Sequence, residues 1–355
     1  MYLSSNLAEK LPSTPVLLDE AEAALERLYA GQSLDQAAAQ RLFEALVEGR
    51  LGEPSIAAML VALRLKGATA DELIGAARAL RAADADFPRP DYLFADSCGT
   101  GGDGSGSINV STAVAFVAAE CGLPVAKHGN RSVTSRCGSA DVLEHLGTKL
   151  DISADQSRRA LDETGVCFLF APLYHPGLKY AGPVRRALKV RTIMNVLGPC
   201  LNPAEPPVQL LGVADPKLLR PVAETLKALG LADALVVHGS GLDEVALHGP
   251  TQAARLRGGV IEELTFGPED AGVEAAPLGL LRGGGPEENA ERLKALLMGY
   301  GTAAESRVVA LNTGALLMTA GLAASLQEGT EMAVDALASG GAYKRLLAFV
   351  EATNG

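Results

Sequence analysis

From residue 17 to about residue 86, apolar positions recur at three- and four-residue spacings, and no stretch alternates with period two. That spacing lines apolar side chains along one stripe of a helix, so the segment reads as helix after helix. "SLDQ" (Ser33 to Gln36) and "TADE" (Thr69 to Glu72) have the form of capping boxes, each opening an apolar-periodic run. Pro54 falls near the first turn of "EPSIAAMLVALRLKG" and Gly67 just past its last. "FPRPDY" (Phe87 to Tyr92) then breaks the pattern and marks the expected end of a small helical domain over residues 1–90.

Beyond it the period changes. Short β-like runs, "YLFADSC", "LPVAKH", "VCFLFAP", "VQLLGV" and "DALVVHG", alternate with helical patterns. The predicted helices run from about Thr112 to Cys121, near Ala140 to Leu146, from the box "SADQ" (Ser153 to Gln156) to Gly165, and from Pro216 to Leu229. Strands separated by helical crossovers imply a mostly parallel sheet with helices on both faces. The fold class is therefore α/β, with residues 91–355 forming the larger domain. Residues 175–205 show helix but no clear strand, and are expected to complete the helical domain. Val308 to Gln327 carries no charge, yet it is rich in Ala and Gly and contains Asn312 and Thr313; it reads as a buried helix, not a membrane span.

Composition narrows the function. The chain has 355 residues, is 48% hydrophobic and carries a net charge of −11. A general nucleic-acid or anionic-membrane binder presents a basic face, so neither partner is expected. The five cysteines, Cys98, Cys121, Cys137, Cys167 and Cys200, include no C-x-x-C pair and read as reduced, packed thiols of a cytoplasmic protein. "MYLSSNLAEKLPSTP" lacks the apolar core of a signal peptide.

Three polar loops fall at the carboxyl ends of predicted strands, where open parallel sheets bind ligands. "DSCGTGGDGSGSINVST" (Asp96 to Thr112) offers glycine backbone and a helix start, the ingredients of an anion nest. It matches neither the P-loop nor a dinucleotide fingerprint. "KHGNRSVTSRCGSAD" gathers Lys127, His128, Arg131 and Arg136 with several hydroxyls, a pattern suited to a phosphorylated sugar. "GLDE" sets Asp243 beside Glu244, and opposite a phosphate site such a pair suits Mg²⁺. "PVRRALKVRT" offers Arg185, Arg186 and Arg191, one of which could take a substrate carboxylate two-pronged.

These loops, with "FLFAPLYHPGLKYAGPVRRALKVRTIMNVLGPCLNP" and "VVHGSGLDEVAL", resemble the anthranilate phosphoribosyltransferase family from about Leu42 to the C-terminal helices. The resemblance implies a helical domain joined to an α/β domain, and pairing of two copies through the helical domain. It implies transfer of the 5-phosphoribosyl group of 5-phosphoribosyl 1-diphosphate to the amine of anthranilate, with one or two Mg²⁺ ions per subunit. It assigns Gly99, Gly102, Asp103, Ser107, Asn109, Val110, Ser111 and Thr112 to the sugar diphosphate, with Lys127, His128, Gly129, Asn130, Arg131, Ser132, Val133, Thr134, Ser135 and Ser139 around the phosphates. Gly99, Asn130 and Arg185 are implied for anthranilate, and Ser111, Asp243 and Glu244 for the metal. Asn130, Arg185 and His128 are implied as catalytic residues, His128 lying near the aromatic substrate. Ser107, Met194, Cys98 and Cys137 depart from the usual pattern without removing a ligand. The alternatives are a pyrimidine-nucleoside phosphorylase-like enzyme and a non-catalytic nucleic-acid-binding relative.

Overall fold

The structure, a computed structural model, describes residues 14–132 and 136–355. Four helices come first: Thr14–Tyr29, Gln36–Val47, Glu53–Lys66 and Ala70–Ala82. Thr69 accepts the Glu72 N–H, and the Glu72 carboxylate accepts the Thr69 N–H, so the second predicted capping box is complete. The first is not. The cap falls two residues later, with Asp35 accepting the Ala38 N–H, while the Ser33 hydroxyl accepts from Lys66. A carboxylate at that end also suits the helix dipole better than a hydroxyl.

Ile56, Met59, Leu60 and Leu63 bury one face of the third helix, at the i, i+3, i+4, i+7 spacing read from sequence. They pack with Leu42, Phe43, Leu46 and Leu73, and with Ala181, Val184, Ile193, Met194 and Leu197 from much later in the chain. Helices Ala181–Leu188 and Ile193–Leu197 thereby share one core with the first four. Met194, the residue that departs from the expected Phe, is among these buried side chains.

The strands are β1 (Ala95–Gly99), β2 (Val125–Gly129), β3 (Val166–Phe170), β4 (Val208–Gly212), β5 (Asp233–Gly239), β6 (Thr251–Arg257) and β7 (Val260–Phe266). They form one sheet in the order β3-β2-β1-β4-β5-β6-β7. The first five are parallel; β6 and β7 add to the edge antiparallel. Chain order runs outward in both directions from the β1–β4 junction, which makes it the topological switch point.

Side chains alternate between the faces, as pleating requires. Val125, Phe168, Leu210, Leu235 and Val237 face helices Val110–Glu120 and Ala303–Thr319. Leu211, Ala234 and Val236 face helix Leu219–Ala228, and Ala126, Cys167 and Leu169 face Phe87 and Tyr174. The uncharged run at residues 308–327 is not one helix. Helix Ala303–Thr319 stops there, and Leu326–Ser339 starts after Ser325 caps it. Gly314 and Gly329 let these two helices touch, since a Cβ on Gly314 would lie 2.5 Å from the Thr330 nitrogen. Among the described residues no helix is long and apolar enough to cross a membrane.

Buried Asn312 ties that helix to the loop after β5. Its Oδ1 accepts the Val245 N–H at 2.8 Å, and its Nδ2 donates to the Val245 and Val308 carbonyls. Asn312→Ala leaves two buried backbone groups of Val245 without partners. We expect it to cost about 1–3 kcal/mol in urea unfolding, and an unchanged midpoint would show that the loop finds other partners.

Candidate active site

The loops after β1, β2 and β5 meet at the carboxyl end of the sheet, over the switch point. The loop after β5 turns back across β1 and β4. A Cβ on Gly212 would sit 1.6 Å from the Asp243 carbonyl oxygen, and one on Gly99 would sit 2.3 Å from Asp243 Oδ2. Only glycine at these two strand ends lets Asp243 enter. Its carboxylate then accepts the Gly101 N–H at 2.6 Å, and Glu244 lies near the Ser111 N–H.

Asp243 and Glu244 are part-buried at the end of the sheet. Burial, then Asp103, raises the pKa of Asp243; burial, then Asp243, raises that of Glu244. Lys127 opposes them with its positive charge. The Lys127 ammonium donates to the Ser97 carbonyl at 2.5 Å and to the Ser111 hydroxyl at 3.1 Å. Acidic groups therefore outnumber this buried cation. Nearby hydroxyls are also unspent: Ser97 Oγ and Thr112 Oγ1 are buried without a hydrogen-bond partner among the described residues. Negative charge in excess of its compensation, with hydroxyls to spare, is a donor set that suits a divalent cation and phosphate oxygens. No three His, Cys, Asp or Glu side chains form a self-sufficient metal cage among the described residues.

The glycine-rich loop is braced from a segment with no sequence signal. Ile108 donates to the Leu281 carbonyl, Gly283 to that of Gly106, and Ser107 forms an isolated bridge with Arg282. Asn289 donates to Asn109 Oδ1 at 3.0 Å and accepts the Gly284 N–H. Asn109, at the start of helix Val110–Glu120, is thus oriented by a side chain 180 residues away. Asp103 holds its own loop by accepting the N–H and hydroxyl of Ser105.

Pleating separates Lys127 and His128 of β2. Lys127 points to the carboxylates, and His128 to the opposite face, against the helical domain. The His128 Nε2 lies 3.0 Å from His175 Nε2, and His175 Nδ1 lies 2.5 Å from Asp84 Oδ1. Burial, then His175, holds the His128 pKa well below that of free histidine, so the ring is neutral. His128 is therefore engaged in a buried chain of side chains linking the sheet to the end of the fourth helix. Neither Asp84 nor His175 stands out in sequence.

The second loop is only partly a phosphate clamp. Arg131 is turned outward, paired with Glu144 and Asp141 and stacked over Phe170, so its charge is spent on acids of the next helix. Asp141 also accepts the N–H groups of Ser132 and Gly138. Ser139 lies against Gly129 and donates to the Asn130 carbonyl. Val133, Thr134 and Ser135 lie outside the described residues. Arg185, on helix Ala181–Leu188, is half-buried, and desolvation lowers its pKa. No ion pair engages it among the described residues.

Comparison with known proteins agrees with this geometry. Residues 22–83 match the helical bundle domain of a glycosyl transferase family, and residues 91–343 its α/β domain. An anthranilate phosphoribosyltransferase of Sorangium cellulosum (strain So ce56) is 60% identical over 328 residues, 92% of this chain and 94% of that one. This chain belongs to the anthranilate phosphoribosyltransferase family. A crystal structure of the Thermus thermophilus family member superposes with a TM-score of 0.88 at 41% identity, covering 94% of this chain and 99% of the other. The Saccharomyces cerevisiae member superposes with a TM-score of 0.84 at 25% identity, covering 96% of this chain and 99% of the other; it has been solved with PRPP and Mg, and with 4-fluoroanthranilate. The nucleic-acid-binding and phosphorylase alternatives find no support in these relatives.

The raised carboxyl pKa values carry a stability consequence. A group whose folded pKa lies above its unfolded value keeps its proton in the folded state, so its stabilisation is lost as pH rises through the raised value. With Asp243 raised to about 7 and Glu244 to about 8, metal-free protein should therefore melt at a lower temperature as pH rises from about 4 to about 8, and the slope should end above that. Mg²⁺ should restore the midpoint at the alkaline end, because it replaces the lost protons. Thermal scans in chelator and in Mg²⁺ check this; a double variant Asp243→Asn, Glu244→Gln should flatten the pH slope.

Proposed function

We infer that this chain transfers the 5-phosphoribosyl group of 5-phosphoribosyl 1-diphosphate to the amine of anthranilate, releasing diphosphate, a step of tryptophan biosynthesis. The observation that carries this reading is the meeting, over one switch point, of a glycine-rich loop, a buried lysine and two part-buried carboxylates, with a half-buried arginine on the adjoining helix that forms no ion pair among the described residues.

The sugar diphosphate is assigned to the glycine-rich loop and the start of helix Val110–Glu120. Gly99, Gly102 and Asp103 line it, with Ser107, Asn109, Val110, Ser111 and Thr112, the last holding an unspent hydroxyl. Lys127 supplies the buried positive charge, and the backbone from Gly129 to Ser132, with Ser139, borders the phosphates. In this reading Asp243, Glu244 and Ser111 hold one or two Mg²⁺ ions. When bound, Mg²⁺ neutralises charge on the departing diphosphate.

Arg185 suits the anthranilate carboxylate. Its guanidinium has already shed much of its water, and an incoming anion supplies the missing partner. Asn130, whose Oδ1 accepts the Arg131 N–H, keeps its amide N–H groups for the same substrate. His128 contributes from the helical-domain side as a neutral ring held by His175. The amine of anthranilate is a weak base and largely neutral near pH 7, so its lone pair is available without a strong general base. The amine nitrogen bonds to C1 of ribose, the bond from C1 to the diphosphate oxygen breaks with its electrons going to diphosphate, and the nitrogen gives up one N–H proton to solvent. The protein's share is alignment of amine with C1 and stabilisation of the leaving charge.

Two copies pair through the helical domain in this reading, where Leu65 stands 80% exposed on the third helix. The free, mostly buried thiols of Cys98, Cys121, Cys167 and Cys200 suit a reducing cytoplasm.

Loss of anthranilate fluorescence on adding 5-phosphoribosyl 1-diphosphate and Mg²⁺ tests the activity; stable fluorescence would refute it. Arg185→Ala should lose about 1.5–3 kcal/mol of anthranilate binding, the range for a hydrogen bond to a charged group. Unchanged KM and kcat would remove Arg185 from the site. Replacing both Asp243 and Glu244 by Ala should weaken Mg²⁺-dependent turnover, whereas wild-type activity across a Mg²⁺ titration would exclude them as ligands.

A further inference from the structure

Arg191 has no part in the assignments above, yet it reaches the glycine-rich loop. A Cβ built on Gly102 would lie 2.4 Å from Arg191 Nε and 2.6 Å from its Cζ and Nη2. The guanidinium therefore rests directly on the α-carbon of Gly102, a residue held at φ +73. No side chain larger than hydrogen permits this approach. The following loop residue is Asp103, and Gly101, which precedes Gly102, donates to Asp243.

Three facts make this contact more than incidental packing. First, the cation comes from the helical domain: Ile193, Met194 and Leu197, shortly after it, are buried in that domain's core. Second, its backbone is fixed there, because Arg64 on the third helix donates to the Arg191 carbonyl, and Asn195 accepts the N–H of Thr192. Third, its charge is uncommitted, since no ion pair engages Arg191 among the described residues. It lies on the rim of the glycine-rich loop.

We propose that Arg191 binds the diphosphate of 5-phosphoribosyl 1-diphosphate from the helical-domain side, as a contact that seats the helical domain on the occupied α/β domain. The inference rests on the activity assigned above and adds to it a binding residue. A guanidinium offers a planar fork to phosphate oxygens, which an ammonium does not reproduce.

The test compares wild type, Arg191→Lys and Arg191→Gln by steady-state kinetics, and by calorimetric binding of 5-phosphoribosyl 1-diphosphate with Mg²⁺ in the absence of anthranilate. Arg191→Gln should raise both KM and Kd for the sugar diphosphate about tenfold or more, equivalent to one lost charged contact. Arg191→Lys should recover part of the loss. The melting temperature should hold, because the side chain is exposed, and the anthranilate KM at saturating sugar diphosphate should stay within about twofold. Sugar-diphosphate affinity unchanged in both variants overturns the proposal. So does an equal loss for both substrates with a lowered melting temperature, which marks a structural role. Failure of the wild type to turn over would instead refute the assigned activity, while the calorimetric arm still decides the role of Arg191.

Discussion

Two adjacent, part-buried carboxylates at the carboxyl end of a parallel sheet are the constraint from which the site follows. Asp243 and Glu244 can enter only because β1 and β4 both end in glycine, Gly99 and Gly212, with no Cβ to bar the crossing loop. Once inside they are desolvated and repel each other, which raises both pKa values. Lys127, the Gly101 amide and the Ser111 amide offset part of that cost. The remainder is a standing demand for positive charge, which the divalent cation of the proposed reaction would meet.

The sheet also divides labour between its faces. Along β2, Lys127 turns to the carboxylates and His128 to the helical domain, one residue apart. Beyond His128 the chain of contacts runs through His175 to Asp84, at the end of the fourth helix. Asp84 is itself mostly buried, and desolvation raises its pKa. The junction of the two domains therefore contains a polar chain as well as apolar packing. A hydrogen-bonded junction has directional demands, and it fixes the relative placement of domains more tightly than apolar contact does.

Much of the fold was legible because local signals there agree with tertiary demands. The five parallel strands, the Thr69 and Ser153 caps and the Gly165 stop stand where the sequence reading put them. The misplacements have local causes. Ser33 lost the cap to Asp35, two residues on. The uncharged run at 308–327 looked continuous because burial there demands uncharged residues in the helix and the following turn alike. The β6–β7 hairpin went unread, although Gly258 and Gly259, both at positive φ, are the dipeptide that a two-residue hairpin favours. Its exposed strand β7 carries Glu262 and Glu263 between apolar neighbours, which blurs the alternation.

The sequence alone determined which chemistry the chain could hold: glycine where backbone must approach a ligand, a Lys and hydroxyl loop after β2, and an adjacent acidic pair after β5. Those are properties of short segments, and residue type with spacing is enough to state them. Tertiary structure alone decided which groups remain available. Arg131 spends its charge on Glu144 and Asp141, Arg185 and Arg191 form no ion pair among the described residues, and Asn289 orients Asn109 from far along the chain. Whether a charge is free depends on which side chains folding brings within about 4 Å of it, and distance in the chain carries no record of that.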